Sequence, residues 1–260
     1  MRLRKKVRRY SQLILRVSNW FGYLLFKIGS RPRFGFKLRS GLNIEVTRKM
    51  IPPFKESFFD NVYLKELPKA IKEEQQPIII DVGANVGFFS LNMFTQFEDA
   101  RVYAFEPIPF NFQQLSKYKD LYPQYEWKIY NEAVANHEEG FVLYSVTVNG
   151  FTTMASLEKS EGKVEEMFVS TTKLESLMEK EGIDSITLLK LDCEGSEYPI
   201  LYDLSTEVLS RIKNLSIETH PSKMVGNNHN ELVSYLNNKN WSTKDQMNDD
   251  GTGYIWAWKD

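Results

Sequence analysis

The stretch Ile78-Ile79-Ile80-Asp81-Val82-Gly83-Ala84-Asn85-Val86-Gly87-Phe88-Phe89-Ser90 decides the fold of this chain of 260 residues. Its three consecutive isoleucines suit a strand that is covered on both faces. Gly83 and Gly87 allow the backbone to bend tightly and to approach a ligand, and a helical pattern resumes at Phe88. We therefore predict a buried strand, a ligand-binding turn and a helix. Asp81, at the end of the strand, is predicted to point its carboxylate into a crevice.

The spacing within this turn disfavours a dinucleotide-binding loop and does not match a P-loop. A dinucleotide loop requires Gly-x-Gly-x-x-Gly, but the order here is Asp81-x-Gly83-x-Asn85-x-Gly87, and Phe88 takes the place of the third glycine. No Lys-Ser or Lys-Thr pair follows, as a P-loop requires. A carboxylate repels phosphate but accepts hydrogen bonds from an ammonium group, as the methionyl end of S-adenosylmethionine offers. A strand–turn–helix corner without a ligand remains the alternative.

A second acidic residue follows at the distance expected for a nucleoside cofactor. The sequence Arg101-Val102-Tyr103-Ala104-Phe105-Glu106-Pro107 has the composition of another apolar strand, and Glu106 lies 19 residues beyond Gly87. A carboxylate at the end of the second strand of a doubly wound sheet can accept hydrogen bonds from both ribose hydroxyls. Glu106 is therefore predicted to bind a ribose.

Four motifs occur in order along the chain, namely Asp81-Val82-Gly83-Ala84-Asn85-Val86-Gly87, Phe105-Glu106-Pro107, Asn131-Glu132-Ala133-Val134 and Leu189-Lys190-Leu191-Asp192-Cys193-Glu194-Gly195-Ser196-Glu197. Together they resemble the FkbM family of S-adenosylmethionine-dependent methyltransferases, and the resemblance covers roughly residues 76 to 221. The resemblance implies that the first motif binds the methionyl part of the cofactor and that Glu106 binds its ribose. It also implies that Glu132 and Ala133 lie near the adenine, and that the last motif, with Asp192, borders the transferred methyl group.

The last motif concentrates charge at the end of a predicted strand, residues 185–191. Asp192, Glu194 and Glu197 bring three carboxylates together, and the carboxyl ends of parallel strands face the binding crevice. Lys190 and Asp192 share one face of the strand, and a charge on a buried strand requires a partner. We predict Asp192 and Lys190 as catalytic residues. A solvated loop that caps the next helix explains Glu194 and Glu197 equally well.

Residues 214–220 form a further predicted strand, which places Glu218 and His220 on one face. Methyl transfer from a sulfonium to a hydroxyl requires removal of the hydroxyl proton, and a histidine with a pKa near neutrality suits this step. We therefore predict His220 as the catalytic base. Two alternatives remain open. The histidine could be satisfied by backbone groups, or Asp192, Glu218 and His220 could hold a divalent ion such as Mg²⁺, which prefers hard oxygen ligands.

Downstream of residue 76, strand patterns alternate with helical patterns, which predicts an α/β fold with a doubly wound, mostly parallel sheet. The chain is 42% hydrophobic, so it can bury a large core, and its one cysteine excludes a disulfide framework. A helical pattern over residues 230–238 precedes a terminal strand over 253–258. This order matches the seven-stranded, Rossmann-like sheet of class I methyltransferases, whose last strand is antiparallel.

Three segments are predicted from these patterns. Residues 1–40 form a basic amphipathic arm, residues 41–75 lead into the catalytic domain, and residues 76–260 form the methyltransferase domain. Within this domain the alternation changes between His137 and Phe168, where short strands and a polar stretch occur. We predict that this insertion forms part of the acceptor pocket or a lid.

Charge is distributed unevenly along the chain. Residues 1–44 contain 12 Lys and Arg and no acidic residue, whereas the remaining 216 residues carry 21 basic and 34 acidic side chains, a formal balance of −13. On a helical wheel, basic side chains lie opposite an apolar row. The row comprises Val7, Tyr10, Leu13, Ile14, Val17, Trp20, Phe21, Leu24 and Ile28. The pattern predicts an amphipathic helix that lies in the interface of an anionic membrane.

Other interpretations of the arm fit the sequence less well. A helix over residues 13–28 would rise only about 24 Å, short of the roughly 30 Å hydrocarbon core of a bilayer. No small-residue cleavage site for a signal peptide is evident. The apolar row suits lipid better than phosphate, so nucleic acid is not expected as a partner. A helix that packs on its own domain or on a second subunit remains open.

Together with the resemblance, the sequence predicts an S-adenosylmethionine-dependent O-methyltransferase that acts on a hydroxyl of a sugar, glycan or glycolipid precursor. The arm places it at the cytoplasmic, inner face of a membrane. The family implies sugars or polyketide-type molecules as acceptors. A soluble, polyketide-type O-methyltransferase and a non-catalytic binding protein on the same fold are the alternatives.

Overall fold

The computed structural model describes residues 2–145, 155–156 and 165–259, and the chain divides into two compact units. The first unit comprises Met1–Lys65 and the second Glu66–Asp260. The predicted boundaries fall instead after residues 40 and 75. The first unit extends beyond residue 40 because the aromatic side chains of residues 54–59 complete its core.

The first unit consists of helices that pack with a hairpin. Its elements are α1 (Arg2–Arg16), α2 (Trp20–Ile28), β1 (Arg33–Lys37), β2 (Asn43–Thr47) and α3 (Ile51–Lys55). The two strands are antiparallel. Phe36 of β1 stacks on Phe54 of α3 with ring centroids 4.1 Å apart, and Tyr23 of α2 lies 5.0 Å from Phe36. This aromatic cluster fixes which side of each helix faces inward.

The predicted single amphipathic helix is interrupted in the structure at residues 17–19. The backbone N–H of Ser18 donates to the carbonyl of Lys37 at 2.8 Å, and the Asn19 side chain bonds the backbone of Gly35 and Lys37. Ser and Asn side chains compete with a helix for backbone groups, and here the hairpin supplies the partners. Leu13 and Val17, which the prediction assigned to the membrane-facing row, are buried in the unit.

The second unit contains the following strands and helices. The strands are β3 (Ile78–Val82), β4 (Arg101–Phe105), β5 (Glu126–Tyr130), β6 (Ala133–Val134), β7 (Phe141–Ser145), β8 (Ala155–Ser156), β9 (Glu165–Val169), β10 (Thr171–Thr172), β11 (Leu188–Leu191), β12 (Asn214–Thr219), β13 (Ser242–Met247) and β14 (Gly253–Trp258). The helices are α4 (Phe88–Gln96), α5 (Pro109–Leu121), α6 (Leu174–Glu181), α7 (Glu197–Asp203), α8 (Thr206–Ser210) and α9 (His229–Asn238).

A central sheet of seven strands dominates the described part of this unit, in the order β13-β14-β12-β11-β3-β4-β5. Neighbouring strands from β12 to β5 are parallel, and β14 is antiparallel to both of its neighbours. The predicted doubly wound sheet with an antiparallel last strand is therefore confirmed. The chain leaves β3 toward β4 on one side and reaches β11 on the other, so the crevice expected at such a switch point opens at the carboxyl ends of these strands.

The predicted acceptor pocket or lid falls largely outside the described residues, which omit 146–154 and 157–164. The described parts of the insertion pair as β8-β7-β9 in a small sheet. No described helix of the chain is long and apolar enough to cross a membrane.

Candidate active site

The turn after β3 is shaped by close contacts within the protein. Gly83 has a φ of 74°, and a Cβ there would lie 1.8 Å from the carbonyl oxygen of Asp192. At Gly87, with a φ of 87°, a Cβ would lie 2.6 Å from Leu115 and 2.9 Å from Trp127. From the sequence we predicted that both glycines allow the backbone to approach a ligand. In the structure they are required because the turn packs closely against the end of β11 and against α5, where a side chain would not fit.

Asp81 lies beneath this turn and not in the crevice, which corrects the predicted orientation. Its side chain has no exposed surface, and Oδ1 lies 3.1 Å from the Nζ of Lys190 on the neighbouring strand β11. Oδ2 accepts a hydrogen bond of 2.7 Å from the hydroxyl of Ser90. We predicted that the Asp81 carboxylate binds the ammonium group of the cofactor's methionyl end. In the structure this carboxylate pairs instead with a buried lysine.

Lys190 fastens the turn to the sheet. Its ammonium donates to the carbonyl oxygens of Gly83 at 2.7 Å and Val82 at 3.2 Å, and lies 3.5 Å from Oδ2 of Asp192. Burial lowers the pKa of Lys190, but the charges of Asp81 and Asp192 outweigh it and raise that pKa to about 12. These contacts support a positioning role for Lys190 at the turn, and its catalytic role stays a prediction.

Glu106 follows β4 at the same edge of the sheet. Its Oε2 accepts from the backbone N–H of Asn85 at 2.7 Å, and its Oε1 accepts from that of Ile108 at 2.9 Å. Burial raises the pKa of Glu106 to about 7, although these bonds, Lys190 and Asn111 oppose the change. Glu106 therefore ties the glycine turn to the end of β4 while its charge remains poorly compensated.

The third motif lies beside Glu106. The side-chain amide of Asn131 donates to the backbone carbonyls of Glu106 at 2.9 Å and Pro107 at 3.1 Å. Glu132 follows it, half-buried, and Ala133 is buried where β6 pairs with β10. The structure thus brings the second and third motifs together, and their binding of one nucleoside stays a prediction.

His220 lies among three carboxylates at the end of β12. Its Nδ1 donates to Oε1 of Glu197 at 2.9 Å, and its Nε2 lies 3.7 Å from Oε2 of Glu194 and 3.9 Å from Oδ1 of Asp192. Glu194 has a φ of 55° and Gly195 one of 105°, so the chain turns sharply after Asp192. Asp192 and Glu194 keep 25% and 30% of their side-chain surface exposed. We call these four residues the carboxylate–histidine group, and Asp192 and Glu194 make it partly accessible at the carboxyl ends of the strands.

The charges of this group change its proton affinities. Burial lowers the pKa of His220, but the hydrogen bond to Glu197 and the charges of Glu197, Asp192 and Glu194 raise it to about 10. The sequence predicted a value near neutrality. Burial raises the pKa of Glu194 to about 7, with His220 opposing and Asp192 and Glu197 adding to the change. These shifts favour a protonated imidazole at neutral pH and bring the titration of Glu194 close to neutrality.

The sequence left open whether Glu197 has a functional role or caps a helix. Glu197 begins α7 and is fully buried, and its Oε2 accepts from the backbone N–H of Gly195 at 2.9 Å. Its Oε1 also accepts from the backbone N–H of His220. The adjacent Tyr198 donates its hydroxyl to the His220 carbonyl at 2.7 Å. The solvated capping role weighed for Glu197 is not observed, because its carboxylate is buried and bonds Gly195, which precedes the helix, and His220.

We also considered a divalent ion held by Asp192, Glu218 and His220. Among the residues that the structure describes, no group of three His, Cys, Asp or Glu side chains is arranged to hold an ion. Glu218 accepts instead from the hydroxyl of Tyr254 at 3.1 Å. Burial and the nearby carboxylates raise the pKa of the Cys193 thiol well above its usual value, which disfavours the thiolate form that a nucleophile requires.

The sequence of this chain is similar to those of known methyltransferases. The model of the methyltransferase FkbM domain matches residues 81–242, more than half of the chain. Methyltransferase sdnD of Sordaria araneosa is 27% identical over 195 residues, which cover 64% of this chain and 73% of that protein.

Two further relatives carry more specific names. The 31-O-demethyl-FK506 methyltransferase FkbM of Streptomyces tacrolimicus is 25% identical over 196 residues, covering 64% of this chain and 73% of the relative. The hexuronic acid methyltransferase AglP of Haloferax volcanii is 27% identical over 148 residues, covering 56% of this chain and 57% of the relative.

Proposed function

We propose, because this chain belongs to the FkbM family of methyltransferases, that it transfers a methyl group from S-adenosylmethionine to a hydroxyl of a sugar or glycan precursor. One observation carries the proposal. The carboxylate–histidine group opens at the same edge of the sheet as Glu106, the acid predicted to bind the cofactor ribose. A nucleoside cofactor and an accessible proton acceptor would thus share one crevice.

The residues around the first two motifs fit S-adenosylmethionine, which the family implies as methyl donor and which supplies an electrophilic methyl group on a sulfonium. A carboxylate accepts up to about four hydrogen bonds. Glu106 receives three, from the backbone of Asn85 and Ile108 and from the side chain of Asn111. A ribose hydroxyl would supply a further donor and stabilise the ionised form of this buried acid. Glu132 and Ala133 would border the adenine.

Methyl transfer to an alcohol requires that the hydroxyl proton leave as the oxygen forms its bond to carbon. We assign the removal of this proton to the carboxylate–histidine group as a whole and, within it, to the carboxylate of Glu194. Glu194 becomes ionised near neutral pH, whereas His220 already carries a proton there. The His220 imidazolium and Asp192 would hold the acceptor hydroxyl and balance the charge.

Two observations support a sugar or glycan acceptor. The relative named as a hexuronic acid methyltransferase shares 27% identity over 148 residues. The basic amino-terminal arm favours an acceptor that is met at a membrane, such as a lipid-linked or surface-glycan intermediate at the cytoplasmic face. The relative named for 31-O-demethyl-FK506 supports transfer to oxygen, and favours a polyketide-type small molecule as the second candidate acceptor.

The test offers both acceptor classes to the purified full chain with S-adenosylmethionine that carries a deuterated methyl group. One arm uses glycolipids extracted from cells, and the other uses polyketide-type alcohols. Mass spectrometry detects the gain of one labelled methyl. The proposal predicts labelled glycolipid, whereas label confined to the second arm would replace the acceptor class. Cofactor binding without label in either arm would favour a non-catalytic binding protein.

A further inference from the structure

The two amino-terminal helices each use one side for the core of the first unit. Leu13 of α1 and Val17, which follows the end of α1, are buried, and on α2, Tyr23 and Phe26 are buried. Tyr23 and Phe26 contact the rings of the hairpin, with Phe26 5.4 Å from Phe34. These inward side chains contribute to the core of the first unit. The core therefore does not explain the apolar residues that lie elsewhere on the two helices.

A second set of apolar side chains remains exposed on the same helices. It comprises Val7, Tyr10, Ile14 and Leu15 on α1 and Phe21, Leu25 and Ile28 on α2, with exposed fractions between 44% and 84%. We call this set the outer apolar surface. Val7, Tyr10 and Ile14 follow helical spacing, as do Phe21, Leu25 and Ile28. Single exposed apolar residues are common on proteins, but seven on two short helices mark an interaction site.

One contact connects the two helices where they expose these side chains. The Nζ of Lys27 donates to the hydroxyl of Tyr10 at 3.0 Å and lies 5.3 Å from the centre of its ring. The phenol of Tyr10 and the ammonium of Lys27 are both exposed. The outer apolar surface therefore spans both helices and carries a cation at the junction.

The charge around this surface selects an anionic partner. Residues 1–44 contain 12 basic and no acidic side chains, and Lys6, Arg8, Lys27 and Arg31 are exposed. Lys and Arg near an anionic bilayer each add roughly 1 kcal/mol of attraction, and Trp and Phe suit the interfacial region. A symmetric contact with a second copy would instead bring two basic surfaces together and repel. Nucleic acid would leave the apolar side chains in water.

We propose that the outer apolar surface and its basic neighbours dock on the interface of an anionic lipid bilayer. The contact would be peripheral, with the helices lying in the membrane plane. The structure changes which residues of the predicted row would face lipid. Leu25 joins Phe21 and Ile28 there, whereas Leu13 and Val17 are buried in the first unit. This inference does not depend on the proposed acceptor or on catalysis.

The test is flotation of the full chain with vesicles of phosphatidylcholine, with or without phosphatidylglycerol, in the absence of cofactor. The test variant is Phe21→Ser with Leu25→Ser, at positions 60% and 53% exposed. The matched control is Leu121→Ser with Met247→Ser, at positions 64% and 50% exposed in the second unit. Circular dichroism melting of all three proteins shows whether each is folded.

The proposal predicts binding of the wild type and the control to vesicles with phosphatidylglycerol, and little binding to phosphatidylcholine alone. Loss of two inserted apolar side chains should weaken binding by about tenfold or more. Added salt should also release the wild type. Absence of wild-type binding would overturn the proposal, as would equal binding by the test variant. A wild-type dimer that the test variant dissociates would assign the surface to a second copy, and would overturn it as well.

Discussion

The Nδ1 atom of His220 lies 2.9 Å from Oε1 of Glu197, a carboxylate that has no exposed surface. The same carboxylate accepts from the backbone of His220 and of Gly195. Glu197 therefore fixes the imidazole, the end of β12 and the turn before α7 together. Because Nδ1 is held in this way, Nε2 faces Asp192 and Glu194.

Glu197→Gln should lower the pKa of His220, because it removes the hydrogen-bonded negative charge that raises this pKa most. An NMR titration of the His220 ring measures the change directly. Turnover should fall as the imidazole loses its fixed orientation, while S-adenosylmethionine affinity stays at the wild-type level. Glu207→Gln, at an exposed position of α8, is the control. An unchanged pKa of His220 in Glu197→Gln would contradict the positioning role.

The pH dependence of kcat should show an acidic limb that belongs to Glu194. The pKa of this acid is raised to about 7, and only its ionised form can accept the hydroxyl proton. The kcat value should therefore increase as pH rises through about 7 and level off above it. Glu194→Gln should remove the limb and reduce kcat by a factor on the order of 10² to 10⁴.

His220→Gln separates the two candidate bases. The imidazolium lowers the pKa of Glu194, so its removal should move the limb of the profile to higher pH, with kcat reduced and cofactor binding intact. A wild-type limb near pH 10 that disappears in His220→Gln would instead identify the neutral imidazole as the base. Wild-type turnover in this variant would remove His220 from the mechanism.

Lys190→Met should destabilise the fold by about 3–5 kcal/mol, because it leaves the fully buried Asp81 without its cation. The double variant with Asp81→Asn should lose less than the sum of the two single variants, since it leaves no unpaired charge at position 81. Urea unfolding of the four proteins gives this double-mutant cycle. Additive losses would show that the two residues do not act as a pair.

Asp81→Ala should abolish cofactor binding even though Asp81 lies beneath the turn. The reason is the loss of the Lys190 and Ser90 contacts that hold the glycine turn against the sheet. Calorimetric titration with S-adenosylmethionine measures the effect. Asp99→Ala, which removes an exposed carboxylate from the same unit, is the comparison. Wild-type affinity in Asp81→Ala would show that the turn does not need this ion pair to bind the cofactor.

Glu106→Gln should weaken S-adenosylmethionine binding by about 10- to 100-fold, since the ribose loses a charged acceptor. The amide also cannot accept from both Asn85 and Ile108. In the wild type, affinity should fall as pH falls through about 7, because protonation of Glu106 removes the same charge. Glu126→Gln, at an exposed carboxylate of β5, should bind normally. Equal affinities of both variants would exclude Glu106 as the ribose ligand.

Local patterns in the sequence predict the sheet and the positions of its functional acids. The alternation of strands and helices places Glu106, Asp192 and His220 at strand ends on one edge, and the structure has them there. Period-two spacing also predicts that Lys190 and Asp192 share a face, and their charged atoms lie 3.5 Å apart.

The features that the sequence did not predict depend on contacts between residues that are far apart in the chain. Asp81 is buried because Lys190, on a strand far along the chain, supplies its partner. The high pKa of His220 depends on how α7 presents Glu197 to β12, which no local pattern reports. The break between α1 and α2 likewise depends on the hairpin that receives Ser18 and Asn19.

Quantifying both products of one reaction tests the central claim most directly. The full chain is incubated with methyl-labelled S-adenosylmethionine and the glycolipid extract, and S-adenosylhomocysteine is measured together with the position of the label. The proposed function predicts equal amounts of S-adenosylhomocysteine and of labelled methyl on a sugar oxygen, both lost in Glu194→Gln. Label on nitrogen or carbon, or no label while the cofactor is bound, would contradict it.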